Sequence, residues 1–351
     1  MGPLLNSINL RLIHQSAIAL VLLSVSFKAP QLTAQNTPVI SGGTGFFSYT
    51  DGGKTSFDMV ASPLLAAPIG PYLLIEGRGI LLESLSPAHT GGYNTSRFFG
   101  LSYMQADVIA NKHVTLVGGY FLTPFGTYNE RLTPIWIANF QDVPLIYGIG
   151  TMNTGASTGG MVRGNLFSTD KVSVSYAAYI SAGSTNVRIN SQRATGAQAS
   201  LYLPKARLEV GASFGRRLET VRENDFGTHV WWEPTKVPVR IRSEYAHAPH
   251  SQGYWIEADY HLPKPGNAKW LARLEPIARL QQAFRNSPDK TDNLPSVDTQ
   301  RVDFALAYHF PHEIRMNASY GRNFASNGNV NIWQTGLTYR FLTPAWKGND
   351  D

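Results

Sequence analysis

Asp259 and His261 stand two residues apart in a run, 252–262, that alternates apolar and polar side chains. On a strand they share a face, and an imidazole beside a carboxylate can act as a general acid–base pair. No segment offers a matching nucleophile. His309 with His312 and Glu313, and His247 with His250, have spacings a metal could use. Both sets lie near turns, where solvated or interfacial histidines are the simpler reading. Ser41-Gly42-Gly43-Thr44-Gly45 lacks the lysine and the following helix of a phosphate loop, and reads as the flexible start of a strand. None of these patterns calls for a cofactor or a metal.

A larger set of charges falls on the polar sides of alternating runs. The basic members are Arg207, Arg240, Arg242, Arg273, Arg279, Arg301, Arg315 and Arg340. The acidic members are Glu209, Glu244, Glu257, Asp259, Glu275, Asp303 and Glu313. If those faces line a wet interior, opposed basic and acidic rows set a transverse field across it, and rings of Arg favour anions. The Arg excess is slight, so the expectation is a weak anion preference at most. The same side chains could instead pair across strands and fill the wall. Both readings stay open at this level.

The elements that would carry these residues are strands. From Gly42 onward almost no amphipathic helix is apparent. Strand-like runs occupy 43–51, 54–64, 71–84, 96–109, 112–122, 157–167, 170–181 and 195–203. They continue at 206–217, 226–233, 236–247, 252–262, 268–284, 299–310, 312–323 and 330–341. That is about sixteen, an even number, as a closed bacterial barrel with both termini on one side requires. In the run 299–310, Val302, Phe304, Leu306, Tyr308 and Phe310 oppose Arg301, Asp303, Ala305, Ala307 and His309. In the last run Trp333, Leu337, Tyr339 and Phe341 oppose Gln334, Gly336, Thr338 and Arg340. The connections alternate short and long through most of the chain. The run 98–108 changes phase near Met104, which a bulge would explain.

Composition narrows the class. Arg11 and His14 precede a short apolar core, 17–26, then Pro30 and Leu32-Thr33-Ala34. This reads as a secretory signal spanning 1–34; the apolar run is too short for a membrane-spanning helix. Its removal takes Arg11 and Lys28 and no acids, so the formal charge falls from +6 to +4, too weakly basic for a nucleic-acid partner. There is no cysteine. An exported chain without disulfides must draw stability from a large core or from closed backbone hydrogen bonding. Hydrophobic content is 43% against 15% charged, and no internal segment is long enough to cross a membrane as a helix. A β-barrel stays allowed, because its hydropathy signal per strand is weak.

The longest connection, roughly 123–156, is too apolar to be disordered. It carries Phe125, Tyr128, Glu130, Arg131, Trp136, Phe140, Ile146 and Tyr147. By position it is the third outer loop.

The signal segment, the strand count, this loop and the ending Tyr339-Arg340-Phe341 together resemble a bacterial outer-membrane porin. Gly119-Tyr120-Phe121-Leu122-Thr123-Pro124-Phe125-Gly126-Thr127-Tyr128 is similar to porins of the phosphate-selective type. The resemblance implies an all-β closed transmembrane antiparallel barrel over 35–341, with its third outer loop folded inward. It also implies a homotrimeric, non-enzymatic passive channel in contact with outer-membrane lipid, for small hydrophilic or anionic solutes. Phe125, Tyr128, Glu130, Arg131 and Trp136 would form the constriction. The polar tail 342–351 departs from the family, whose chains usually end at the aromatic residue. An outer-membrane barrel enzyme and a non-conducting adhesion or scaffold barrel are the alternatives.

Overall fold

The computed structural model describes residues 37–344, except 90, 148–154, 187, 220–221, 263–269 and 288–293. The signal segment 1–34 and residues 345–351 lie outside the described residues. All the strands expected from the alternation are present. They are β1 (Val39–Asp51), β2 (Lys54–Ile69), β3 (Leu73–Pro87), β4 (Tyr93–Asn111) and β5 (Val114–Leu122). Next come β6 (Ala156–Ser168), β7 (Ser173–Ala182), β8 (Ala194–Leu203), β9 (Leu208–Arg217) and β10 (Asn224–Trp232). The ring is completed by β11 (Val239–Ala248), β12 (Ser251–Tyr260), β13 (Leu274–Arg285), β14 (Thr299–His309), β15 (Ile314–Ala325) and β16 (Val330–Pro344). Each pairs antiparallel with the next, and β16 pairs back onto β1 from Val39↔Pro344 to Asp51↔Ile332, closing the barrel. Closure gives every strand two neighbours, but β4 outruns β5, so its stretch from Tyr93 to Leu101 pairs with β3 alone. Residues 342–344, expected in the tail, belong to β16. No helix among the described residues is long and apolar enough to cross a membrane.

Alternation along each strand sets which side chains face out. On β14, Phe304 is 60% exposed while its neighbour Asp303 is 1% exposed. This inverts the distribution of a water-soluble protein, and it recurs around the wall: Ile180, Leu306, Trp333 and Leu337 are exposed, whereas Arg242, Glu244, Asp259 and Arg279 are buried. Such a wall turns its apolar side to hydrocarbon. At one rim the outer face carries tyrosines bonded to amides. Tyr245 Oη donates to Gln252 at 2.8 Å, Tyr254 to Gln282 at 3.3 Å, and Tyr320 to Asn331 at 3.0 Å. Rings with an apolar body and a polar tip suit the boundary between lipid and water.

The early strands are less regular. Arg78 pairs with Tyr103 but Gly79 with Leu101, so Ser102 bulges out of the β3–β4 ladder. That bulge accounts for the phase change near Met104. Glycine clusters where β5, β6 and β7 meet. A Cβ on Gly159 of β6 would overlap the Ile180 carbonyl oxygen on β7, whereas at Gly118 of β5 nothing lies within 4 Å. Gly159→Ala is expected to cost about 1–3 kcal/mol, and Gly118→Ala nothing, by urea unfolding midpoint of the detergent-solubilised barrel. Equal midpoints would contradict this register.

Candidate functional site: a loop docked inside the barrel

The described part of the β5–β6 loop, 123–147, runs along the inner wall. Its start, 123–129, is buried, so the N–H groups there need protein partners. Glu244 on β11 supplies them. One carboxylate oxygen accepts from the Thr127 and Tyr128 amides, the latter at 2.7 Å, and from the Thr127 hydroxyl at 2.6 Å. The other accepts from the Tyr147 hydroxyl and from Trp255 Nε1 at 3.3 Å. The amide of Gly126 donates to Ser213 Oγ at 3.0 Å, and its carbonyl accepts from Gln198 at 2.6 Å. Gly126 has φ +65°, and a Cβ there would lie 2.6 Å from Tyr147 Oη and 2.8 Å from the Glu244 carboxyl, so a side chain would be strained and crowded. Around this anchor Phe125, Tyr128, Leu132, Ile146 and Tyr147 pack with Ala246, Ala248, Trp255 and Ala283 of the wall.

A second anchor lies farther along the loop. Arg279 on β13 donates to Asp142 Oδ1 at 3.0 Å and lies 4.1 Å from the centroid of the Phe140 ring. Arg301 on β14 pairs with the other Asp142 oxygen. Burial pushes the Asp142 carboxyl up, but Arg279 and Arg301 outweigh it and hold the group below its ordinary value. Asn139 donates to Glu257 at 2.9 Å and to Asp259 at 3.2 Å, and accepts from Arg315 at 2.6 Å. Leu145 N reaches Gln281 at 2.8 Å.

These contacts redistribute the charges singled out in the sequence. Arg242, Arg279 and Arg301 point inward but are sealed beneath the loop, at 1%, 2% and 4% exposure, and are paired with Glu257, Asp142 and Asp303. Asp259 also lies beneath it. Arg315 holds the loop at Ala138 and Asn139, and Arg240 binds Asp259 at 2.9 Å and Glu275 at 3.4 Å. Two of these arginines lie beyond the strand ends. Arg207 sits in the β8–β9 turn with φ 49° and pairs with Glu233, and Arg273 ends a 3-10 turn, Leu271–Arg273, before β13 begins. Both lie past the point where strand alternation applies. Arg340 is on the inner side of β16 near its end, 3.9 Å from Glu313 in the neighbouring turn. In the loop, Phe125 and Tyr128 are core residues.

Glu130, Arg131 and Trp136 face a cavity of about 330 Å³ on the other side of the loop. The opposite wall comes from β2–β6: Leu64, Glu76, Arg78, Tyr103, Gln105 and Arg163. Arg163 pairs with Asp107 and lies 3.9 Å from Glu76. Arg78 donates to Thr133 of the loop at 3.0 Å and lies 5.5 Å from the Tyr103 ring centroid. Glu76, Arg78 and Arg163 join the lumenal charges here. Glu76 and Arg78 oppose Leu73, Ile75 and Leu81 in sequence and were readable there; Arg163 follows Gly159 and Gly160, which erase the alternation.

Two groupings bear on catalysis. His261 Nδ1 is 3.6 Å from Asp259 Oδ1, beyond hydrogen-bond reach. Ser200 Oγ and Glu209 Oε1 both lie 3.3 Å from Nε2 of the buried His229, while its Nδ1 has no partner. A serine nucleophile needs the acid and the hydroxyl on opposite ring nitrogens. This trio has both on one.

No protein-family model matches the chain, and no curated protein matches it in sequence. The likeness to solved structures lies in the fold. OmpF of Salmonella typhi, in complex with daunomycin, aligns over 89% of this chain and 100% of its own, with TM-score 0.62 and 14% identity. OmpT, an outer membrane protein of Vibrio cholerae, aligns over 89% and 100%, with TM-score 0.56 and 11% identity. The chain therefore has the sixteen-stranded antiparallel barrel fold of such proteins.

Glu244→Ala removes the acceptor of the loop amides. It should make 123–147 cleavable by protease in the folded barrel, while wild type resists; equal resistance would contradict the anchor. The Asp142 link should persist on acidification. A carboxyl held below its ordinary value keeps its contribution until pH falls through that lowered value, so protease resistance should persist below the pH at which an ordinary aspartate protonates. Asp142→Asn should flatten that dependence.

Proposed function

We propose that the protein is a passive channel of a bacterial outer membrane that admits small hydrophilic solutes with little preference for charge. The observation that carries this reading is the cavity left between the docked loop and β2–β6. Its Arg78, Arg131 and Arg163 stand against Glu76, Glu130 and Asp107, so neither sign dominates the opening. Long unpaired rows of one charge would be needed for strong ion selection. The arginines that form a row in the sequence are instead spent on holding the loop, which argues for a general pore over a phosphate-selective one.

The apolar outer wall supports a position in lipid, and the likeness to OmpF supports the porin reading. One form of the Vibrio cholerae protein is described as a trimer, and a homotrimer is the assembly we propose here. A non-enzymatic role fits the geometry of His229 and of His261.

Planar-bilayer recording tests the reading. Wild type should conduct, with a reversal potential near zero in a salt gradient. Arg163→Gln uncovers Asp107 and Glu76 in the opening and should shift the reversal potential toward cation preference. Arg242→Gln, sealed beneath the loop, should leave it nearly unchanged. Absence of conductance, or the opposite ranking of the two variants, would overturn the assignment.

A further inference from the structure

At the end of the barrel that carries the β14–β15 turn, metal-ligating atoms of Asp259, His261 and Glu275 converge, and His309 lies beside Glu275. Asp259 Oδ1 lies 3.6 Å from His261 Nδ1, and His261 Nε2 lies 3.6 Å from Glu275 Oε1. His309 Nε2 is 2.6 Å from Glu275 Oε2. The single-atom donors of Asp259, His261 and Glu275 all fall within 4.8 Å of one another.

The two oxygens of Asp259 are used unequally. Oδ2 takes hydrogen bonds from Arg240, Arg242 and Asn139. Oδ1 is buried, accepts no hydrogen bond, and faces His261. A buried carboxylate oxygen without a partner is costly and marks a place where a ligand is missing. The carboxylates are buried while both imidazoles are about half exposed, at 56% and 45% for their side chains. His261 also lines a cavity of about 480 Å³, which provides an approach from water.

We propose that Asp259 Oδ1, His261, Glu275 and His309 bind a borderline divalent transition-metal ion such as zinc. Two imidazoles and two carboxylates are donors that zinc accepts in a four-coordinate site. Arg240, Arg242 and Arg315 lie close by and cancel much of the carboxylate charge. A hard ion such as magnesium, held by charge and oxygen ligands alone, is therefore disfavoured, and binding depends on neutral imidazoles. Binding requires His309 to exchange its hydrogen bond with Glu275 for the ion. The pairing of His309 with His312 considered from sequence is superseded: His312 lies in the β14–β15 turn with φ 63°, while His309 turns to β13. The site stands whether or not the barrel conducts.

Calorimetric titration of the full, detergent-solubilised chain with zinc chloride at neutral pH tests it directly. One saturable site per chain is expected. Removing a supporting group of a metal site costs roughly 10–100-fold in affinity, so His261→Ala and His309→Ala, which delete ligands, should each weaken binding at least that much. The double variant should abolish it. His312→Ala, at the same rim, should bind as wild type does, and magnesium chloride should give no saturable heat. No saturable zinc binding, undiminished binding in the double variant, or equal binding of magnesium would overturn the proposal.

Discussion

A peptide segment buried inside a barrel must satisfy its backbone amides with protein partners, and here one carboxylate takes two adjacent ones. Glu244 receives the amides of Thr127 and Tyr128 and three side-chain donors from Thr127, Tyr147 and Trp255. The side chain is 2% exposed, and so buried a carboxyl group is tolerable only when its polar atoms are paired. The dependence is mutual: the loop cannot dock without the carboxylate, nor the carboxylate be buried without the loop.

The rest of the interior follows from that contact. Once 123–128 is fixed against β8–β11, the loop is carried across β12–β15, where Asn139 and Asp142 meet arginines of the wall. The charges beneath the loop pair with opposite sign, and their Coulomb attraction offsets the desolvation that docking imposes. What stays open is the side the loop does not cover, between Trp136 and β2–β6. Outside, the closed ladder lets residues such as Phe304 and Leu337 face hydrocarbon on strands paired along both edges. A wet, divided interior and a dry exterior thus arise from one alternating pattern.

The architecture was largely legible in the sequence because period-2 alternation survives wherever one face is apolar and the other polar, as in 299–310 and 330–341. Strand ends were less so: β16 runs past Phe341 because Leu342 and Thr343 pair with Ser41 and Ile40, which no local pattern announces. The site was legible only in part. Alternation tells that Arg279 and Arg301 point inward, but an inward charge reads the same whether it meets water or Asp142. Which arginines are wet depends on where a loop more than a hundred residues away in sequence comes to rest. Arg207 and Arg273 fell outside the wall because alternation was extended past the ladder. Glu275 and His309 came together through strand pairing, invisible to spacing along one strand.

The loop seals one side of the interior and leaves the other open, and the absence of native cysteine makes this division directly testable. The decisive measurement is the rate at which a small charged thiol reagent blocks current through channels carrying one introduced cysteine. Leu64→Cys, on the cavity side, should be blocked rapidly, whereas Ala283→Cys, beneath Ile146 and Trp255, should be protected. Rapid modification at 283 with protection at 64 would place the open path on the other side of the loop and contradict the account.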